Sequence, residues 1–321
     1  MTLQTPVLSI IVPTFNRARF LLSTVEQILR QDFTDFELLV VDQSSPEQHA
    51  IVRDGLASHR SDRRLSYFHL PSSGVANARN AGLARVSGQF IMFLDDDVIL
   101  LTSSFLRAHL DCYDDPRIGG VTGRTIERVN RENVRHTANR ITVGGRTMVN
   151  LLGHERCQIH SLKGANMSVR SEAIAGMGGF DRNYTGTALL EEADFSERIL
   201  KRGWQFVFEP TAELLHLSAP AGGVRVSDQA KADYFRFRST AYFVRKHRGR
   251  LGLVPFAVTH LQVALKKAAQ AKRVGLMPEL LKGAMSGLQR LQLGTDQEIS
   301  YLSKSAGTDI PASLDHHPSL N

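Results

Sequence analysis

The sequence predicts an α/β protein: a mostly parallel central sheet flanked by helices, followed by a C-terminal helical appendage. Three observations carry this. Short apolar runs alternate with stretches of helical spacing from Leu8 onward. The run Phe90-Ile91-Met92-Phe93-Leu94 is apolar at every position, as a strand buried on both faces requires. It ends in Asp95-Asp96-Asp97, and parallel sheets collect ligands beyond the carboxyl ends of their strands. Three adjacent carboxylates repel one another and become favourable together when a hard cation such as Mg2+ or Mn2+ offsets their charge. The plainer alternative is an acidic turn capping the next helix.

Taken in order, Leu8-Ser9-Ile10-Ile11-Val12-Pro13 is a strand, and Thr14-Phe15-Asn16-Arg17 has the composition of a loop leading into a helix. Helical spacing follows at Phe20/Leu21, Thr24/Val25 and Ile28/Leu29, then a second strand, Phe36 to Val41, ends at Asp42. Strand, helix, strand predicts a right-handed crossover between parallel neighbours. A helix near Ile51–Leu56, a strand at Leu65–Leu70 and a helix from Val75 to Val86 carrying Arg79 and Asn80 lead to the aspartates. Beyond them we expect a helix over 103–114, a strand at Ile118–Thr122 and a polar, acceptor-facing stretch over 124–160 with a hairpin at Gly144-Gly145. Lys163 to Val169 is strand-like, Gly178-Gly179-Phe180-Asp181 is a turn, and Leu189 opens a helix that Gly203 caps. Trp204–Phe208 and Ala212–Leu217 are two further strand-like pieces, the second bearing His216, with Trp204 in the core.

The totals limit the function classes. A chain of 321 residues, 42% hydrophobic and 22% charged, is an ordinary soluble composition with room for a large domain plus an appendage. Cys112 and Cys157 stand far apart, against a disulfide scaffold or a cysteine zinc site and in keeping with a reducing, cytoplasmic setting. The N-terminus lacks the pattern of a signal peptide, and the charge-free run Leu251–Leu265 is too short to span a bilayer. No GxGxxG follows the first strand and no GxxxxGK[ST] occurs, which argues against a nicotinamide or flavin Rossmann domain and against a P-loop. Of the net +7, residues 231–295 alone supply 13 Lys and Arg against 2 Asp and Glu, so basicity belongs to one segment.

Val12 to Arg17, Val40-Val41-Asp42, Ala78-Arg79-Asn80, Phe93 to Asp97, Gly179-Phe180-Asp181 and Glu191-Glu192-Ala193-Asp194 together resemble the family 2 glycosyltransferases of GT-A fold. The resemblance covers about Leu8 to His216. It implies a metal-dependent, inverting transfer of sugar from a nucleoside-diphosphate donor, with UDP- or dTDP-type donors favoured. The acceptor would be a saccharide or a lipid-linked one, in cell-surface polysaccharide or glycolipid synthesis. By that resemblance Asp97 ligates Mn2+ or Mg2+, Asp95 lies nearer the ribose or sugar, Asp96 is donor-binding, and Pro13, Thr14, Phe15, Asn16 and Arg17 wrap the nucleoside. Asp42 accepts a hydrogen bond from the base or is a plain turn residue; Arg79 contacts the diphosphate or is a solvated helix arginine. The pair usually written Glu-Asp is here Glu191-Glu192, and Glu192 is the expected general base with Glu191 in reserve; the alternative is two helix N-terminal acids. His216 is a second metal ligand or a structural histidine. Gly164, Ala165 and Asn166 are expected to line the sugar pocket. Asp181 binds acceptor hydroxyls or fixes its turn. Two rivals are a sugar-nucleotide nucleotidyltransferase, which usually opens with a Gly-rich signature absent here, and a non-catalytic nucleotide-sugar or membrane-binding protein.

Domain expectations follow. Residues 1–230 form the catalytic domain, 231–295 a basic amphipathic helical segment and 296–321 a disordered tail. Aromatics interleave with arginines over Tyr234–Arg238 and Tyr242–Lys246, and apolar residues recur helically from Met277 to Leu291. The segment therefore either lies on a membrane surface, placing the enzyme on the inner face, or packs on the domain with its cations in water. No nucleic-acid fold signature accompanies it.

Overall fold

A computed structural model of the chain describes residues 5–71, 74–127, 138–224, 226, 228–271 and 276–289. The expected tail 296–321, residues 128–137 of the polar stretch and Leu291 lie outside the described residues.

The first half is a doubly covered parallel sheet. Strand β1 (Leu8–Thr14) leads through α1 (Ala18–Leu29) to β2 (Phe36–Asp42), and α2 (Pro46–Gly55) leads to β3 (Leu65–His69). Helix α3 (Val75–Leu83) then delivers the chain to β4 (Phe90–Leu94). β1 pairs in parallel with both β2 and β4, and β2 with β3. All five residues of β4 are buried, as its unbroken apolar run requires. α1 seats Leu21, Val25 and Ile28 on the sheet at the spacing its sequence shows.

Past β4 the sheet becomes mixed. The chain continues through β5 (Val98–Leu100), α4 (Phe105–Leu110), β6 (Ile118–Glu127), β7 (Ala138–Ile141), β8 (Thr147–Asn150), β9 (Cys157–Ile159), β10 (Asn166–Arg170), α5 (Ser171–Ile174), α6 (Glu191–Leu200) and β11 (Gln205–His216). The order across the large sheet is β3-β2-β1-β4-β10-β6-β11-β5, with β9 on β11. β10 runs antiparallel between β4 and β6, while β6 and β11 are parallel. The two strand-like pieces after Trp204 are one strand. A register shift between Glu209 and Leu214 absorbs Pro210, and Glu209 Oε1 accepts a hydrogen bond from Thr211 N at 2.9 Å within that bulge. β7 and β8 form the hairpin, closed by Gly145 at φ 79°.

The appendage is not a separate unit at its start. Helix α7 (Gln229–Arg248) buries Ala241, Tyr242, Phe243 and Val244 in one cluster with Tyr184, Leu190 and Ala193 of the catalytic region. Lys246 and His247 reach Asp194 at 2.7 Å each, and Arg248 pairs with Glu197, so the cations near its end are fastened to α6. A boundary at 230 therefore cuts through a packed core. Helices α8 (Leu253–Ala271) and α9 (Leu276–Gln289) follow. α9 crosses α7 closely: a Cβ on Gly283 would lie 2.5 Å from Tyr234 O and one on Gly287 2.2 Å from Arg238 O.

Candidate active site

The acidic loop is held from behind by the first helix. Thr24 Oγ1 of α1 donates to Asp96 O at 2.8 Å, and Gln27 braces the following strand by accepting from Leu100 N. The three aspartates then part ways. Asp96 turns inward to accept from Thr14 Oγ1 at 2.6 Å and from Arg17 Nη1 at 3.0 Å. Burial pushes its carboxyl up to about 7, with Arg17 and Thr14 pulling the other way. Asp95 stays partly exposed at the mouth of a cleft of ≈ 1190 Å³. Asp97 is fully buried and accepts from Ala219 N at 2.7 Å.

Asp95 and Asp97 meet His216 from the end of β11, and one ligand atom from each of the three lies within 4.8 Å of the others. His216 Nε2 is 3.3 Å from Asp97 Oδ1 and 3.8 Å from Asp95 Oδ2. Burial lowers the affinity of the imidazole for a proton, but Asp97 and Glu127 outweigh it and raise its pKa to about 10. Burial also works against ionised Asp97, yet His216, Ala219 N–H and Arg17 bring that carboxyl down to about 2. The set fits a hard divalent cation. Its donors are two carboxylates and an imidazole, and buried Asp97 Oδ1 has no hydrogen-bond partner of normal geometry.

Behind the histidine stands a residue the sequence did not single out. Glu127 Oε2 lies 2.8 Å from His216 Nδ1, and Ser218 Oγ donates to the same oxygen at 2.9 Å. A carboxylate on the far nitrogen fixes the ring and its tautomer, as outer partners of metal-binding histidines do. Glu127 and His216 are Cα partners across β6 and β11, so nothing short of strand pairing could reveal the contact.

The loop after β11 closes over the first strand's loop. Arg17 Nη1 is also 3.3 Å from Asp97 Oδ2, and its Nε donates to Ala221 O at 3.0 Å. Gly223 N donates to Phe15 O at 2.8 Å; Gly222 and Gly223 both have positive φ, and a Cβ on either would strike Arg17. Asn16, at φ 55°, accepts from Ser45 N, while Asn16 N donates to Ser44 Oγ, tying the first loop to the second. Pro13, Thr14, Phe15, Arg17, Asp95, Asp96 and His216 thus line one cleft.

A second buried arrangement adjoins it. Arg79 of α3 is buried against Glu191 at the start of α6, with Nη2 3.5 Å from Asp95. Burial pushes the Glu191 carboxyl up to about 7 against the pull of Arg79. Glu192, next in α6, is only partly buried. Gly164 backs this pair, since a Cβ there would lie 2.5 Å from Arg79 Nη2. The neighbouring Asn80 holds the Gly179-Phe180-Asp181 turn by both ends of its amide, with Phe180 N donating at 2.7 Å and Phe180 O accepting at 2.8 Å.

Several expected positions change role. Arg79 is not a solvated helix arginine: it is buried and paired with Glu191 and Asp95. Asp42 is fully buried, accepting from Ser44 N at 2.8 Å and from Tyr67 Oη at 2.5 Å. Asn166 is also fully buried: its amide donates to Arg124 O and Ala212 O, and its Oδ1 meets His109 Nε2 at 2.8 Å. It braces three strands instead of lining a sugar pocket, and Ala165 beside it is buried too. Asp181 accepts from Tyr242 Oη and Lys246 Nζ at 2.7 Å each, anchoring α7 with no access to acceptor. Trp204 is half-buried at the edge of the core.

A sequence model described as Glycosyl transferase family 2 matches residues 9–175, more than half the chain. The chain belongs to glycosyl transferase family 2. Among relatives of this family 2 chain, the GalNAc(5)-diNAcBac-PP-undecaprenol beta-1,3-glucosyltransferase of Campylobacter jejuni is 40% identical over 101 residues, 31% of this chain and 32% of that protein. An uncharacterized glycosyltransferase of Rickettsia bellii is 35% identical over 89 residues, 28% of this chain and 12% of its own length. The chain thus spans a third or less of these two curated relatives. Its fold is that of GT-A glycosyltransferases: S. aureus TarS in complex with UDP-GlcNAc superposes with TM-score 0.61 at 15% identity, covering 86% of this chain and 79% of that one. The mannosyltransferase PcManGT of Pyrobaculum calidifontis, in complex with GDP-Man and Mn2+, gives 0.56 at 18%, covering 94% and 86%.

Proposed function

We propose that this family 2 chain moves a sugar from a nucleoside-diphosphate donor to an acceptor hydroxyl, with inversion at the anomeric carbon, in cell-surface polysaccharide or glycolipid synthesis. The observation that carries the reading is the Asp95–Asp97–His216 group at the cleft lined by Pro13, Thr14, Phe15 and Arg17. Asp95, Asp97 and His216 would hold a Mn2+ or Mg2+ ion, which would supply positive charge to a departing diphosphate. Glu127 orients His216, and Arg17 steadies Asp96 and Asp97. Glu192 takes the proton of the acceptor hydroxyl as its oxygen bonds to the anomeric carbon, while the bond to the diphosphate oxygen breaks on the opposite face. Glu191, occupied by Arg79, is left to position α6. Nothing among the described residues lining the cleft selects the base, so the donor is proposed only as a nucleoside-diphosphate sugar. The saccharide or lipid-linked acceptor is supported by the Campylobacter relative, whose name describes an undecaprenol-linked saccharide.

A panel of nucleoside-diphosphate sugars, read by thermal shift with and without Mn2+, tests this. One donor is expected to stabilise the protein only when metal is present. If none does, and no acceptor panel gives transfer, the reading fails.

A further inference from the structure

Among the described residues, α7 and most of the α9 repeat commit their apolar side chains to packing, Leu281 and Met285 of α9 excepted, and α8 does so on one side only. Ala284 and Leu288 of α9 pack against the cluster that buries Phe243 and Val244 of α7, and Leu280 is buried. α8 seats Phe256 and His260 inward, their rings 4.4 Å apart, with Phe237 of α7 edge-on to His260 at 5.3 Å. Its other side is aliphatic and bare. Leu251, in the turn leading into α8, is 89% exposed, and Val254 71%, Val258 55%, Leu261 53% and Leu265 55% follow in the helix. They recur every three or four residues, so they fall in one stripe about 20 Å long. The β7–β8 turn abuts this helix, since a Cβ on Gly144 would lie 2.9 Å from Pro255 O, and Val143 next to it is also exposed.

A continuous stripe of this kind is an interaction surface, unlike scattered surface aliphatics. Charge selects what it meets. Arg250 is exposed at one end, and the sequence over 249–271 holds three basic residues, Arg250, Lys266 and Lys267, and no acidic one. A second copy docked about a two-fold axis would set this cationic face against itself. An anionic bilayer complements both the aliphatic stripe and the surrounding charge. We propose that the face running from Leu251, in the turn before α8, to Leu265 of α8, with Val143 at its edge, is a docking surface for an anionic lipid bilayer. The helix lies along the membrane plane, inserting its aliphatic side chains between headgroups. The sequence pattern pointed to α7 and α9 for this role; α7 buries Phe237, Ala241, Phe243 and Val244 within the fold, and α9 packs Leu280, Ala284 and Leu288 while leaving only the shorter pair Leu281 and Met285 exposed. Vesicle binding needs neither donor nor acceptor, so this inference stands or falls separately from the transfer reading.

The full chain is floated with vesicles of phosphatidylcholine and phosphatidylglycerol, and with phosphatidylcholine alone. It is expected to rise with the anionic vesicles, to bind the neutral ones far less, and to be released as salt is raised. The double variant Val258→Glu/Leu261→Glu is expected to lower the bound fraction at least about tenfold. Its melting temperature should not change, because both positions are exposed. Ile51→Glu, on the exposed side of α2, is expected to bind as the unaltered chain does. The proposal is overturned if the unaltered chain ignores anionic vesicles, or if the double variant binds them equally. It is likewise overturned if light scattering finds a dimer that the double variant converts to monomer.

Discussion

Arg79 and Glu191 are 112 residues apart and form a buried ion pair between α3 and α6, where the sequence alone suggests two independent motifs. The pair places the first turn of α6 beside Asp95, which the same guanidinium approaches at 3.5 Å. Removing one partner strands the other charge in a dry site. Arg79→Met is therefore expected to cost about 3–5 kcal/mol in urea denaturation. Arg79→Met/Glu191→Leu should regain most of that stability without regaining activity. A single variant costing less than about 1 kcal/mol would show that the pair is not buried as described.

Glu192 is the proposed base. Glu192→Gln is expected to lower kcat by about 10²–10⁴ while donor KM and melting temperature stay put. Glu192→Asp, the commoner residue in the family pattern, is expected to keep substantial activity. Full turnover in Glu192→Gln would transfer the role elsewhere.

The cation site has a readout free of catalysis. Added Mn2+ at 100 times Kd is expected to stabilise the protein by about 2.7 kcal/mol, an effect that Asp97→Asn removes. Glu127→Gln keeps all three ligand atoms but loses the carboxylate behind His216, and is expected to weaken Mn2+ binding about 10–100-fold by titration calorimetry. An unchanged affinity would make Glu127 a bystander.

Acid stability is expected to depend on Asp194. Burial opposes its ionisation, but His247, Arg198 and Lys246 hold the carboxyl well below the usual range. The folded state then binds fewer protons than the unfolded chain, so the stabilisation is present above about pH 4 and is lost as pH falls below it. Asp194→Asn should flatten the fall in unfolding free energy between about pH 4 and pH 2. An identical slope in the variant would assign the acid sensitivity to other groups.

Helix α7 belongs to the core, so a chain ending before Gln229 is expected to give no cooperative thermal transition. Within the full chain, Phe243→Ala empties a fully buried site and should cost about 3–5 kcal/mol. A soluble, cooperatively melting truncation would restore the boundary at 230.

The sequence by itself determined the alternation of strands and helices and the position of the acid cluster. Both follow from local periodicity: β4 is apolar throughout because both its faces are covered, and a charged run can follow only where the strand leaves the sheet. It also brought Asp97 and His216 forward, since their residue types carry the chemistry. Tertiary structure alone decided which polar side chains remain available. Asn166 and Asp181 have suitable chemistry, yet each is spoken for by a partner distant in sequence, and a buried carboxylate or amide with its hydrogen bonds filled cannot also serve a ligand. Glu127 shows the converse, an unremarkable acid made functional by its strand partner. The same logic separates α8 from α7 and α9: periodicity identifies an apolar face, but only packing fixes whether protein or solvent meets it.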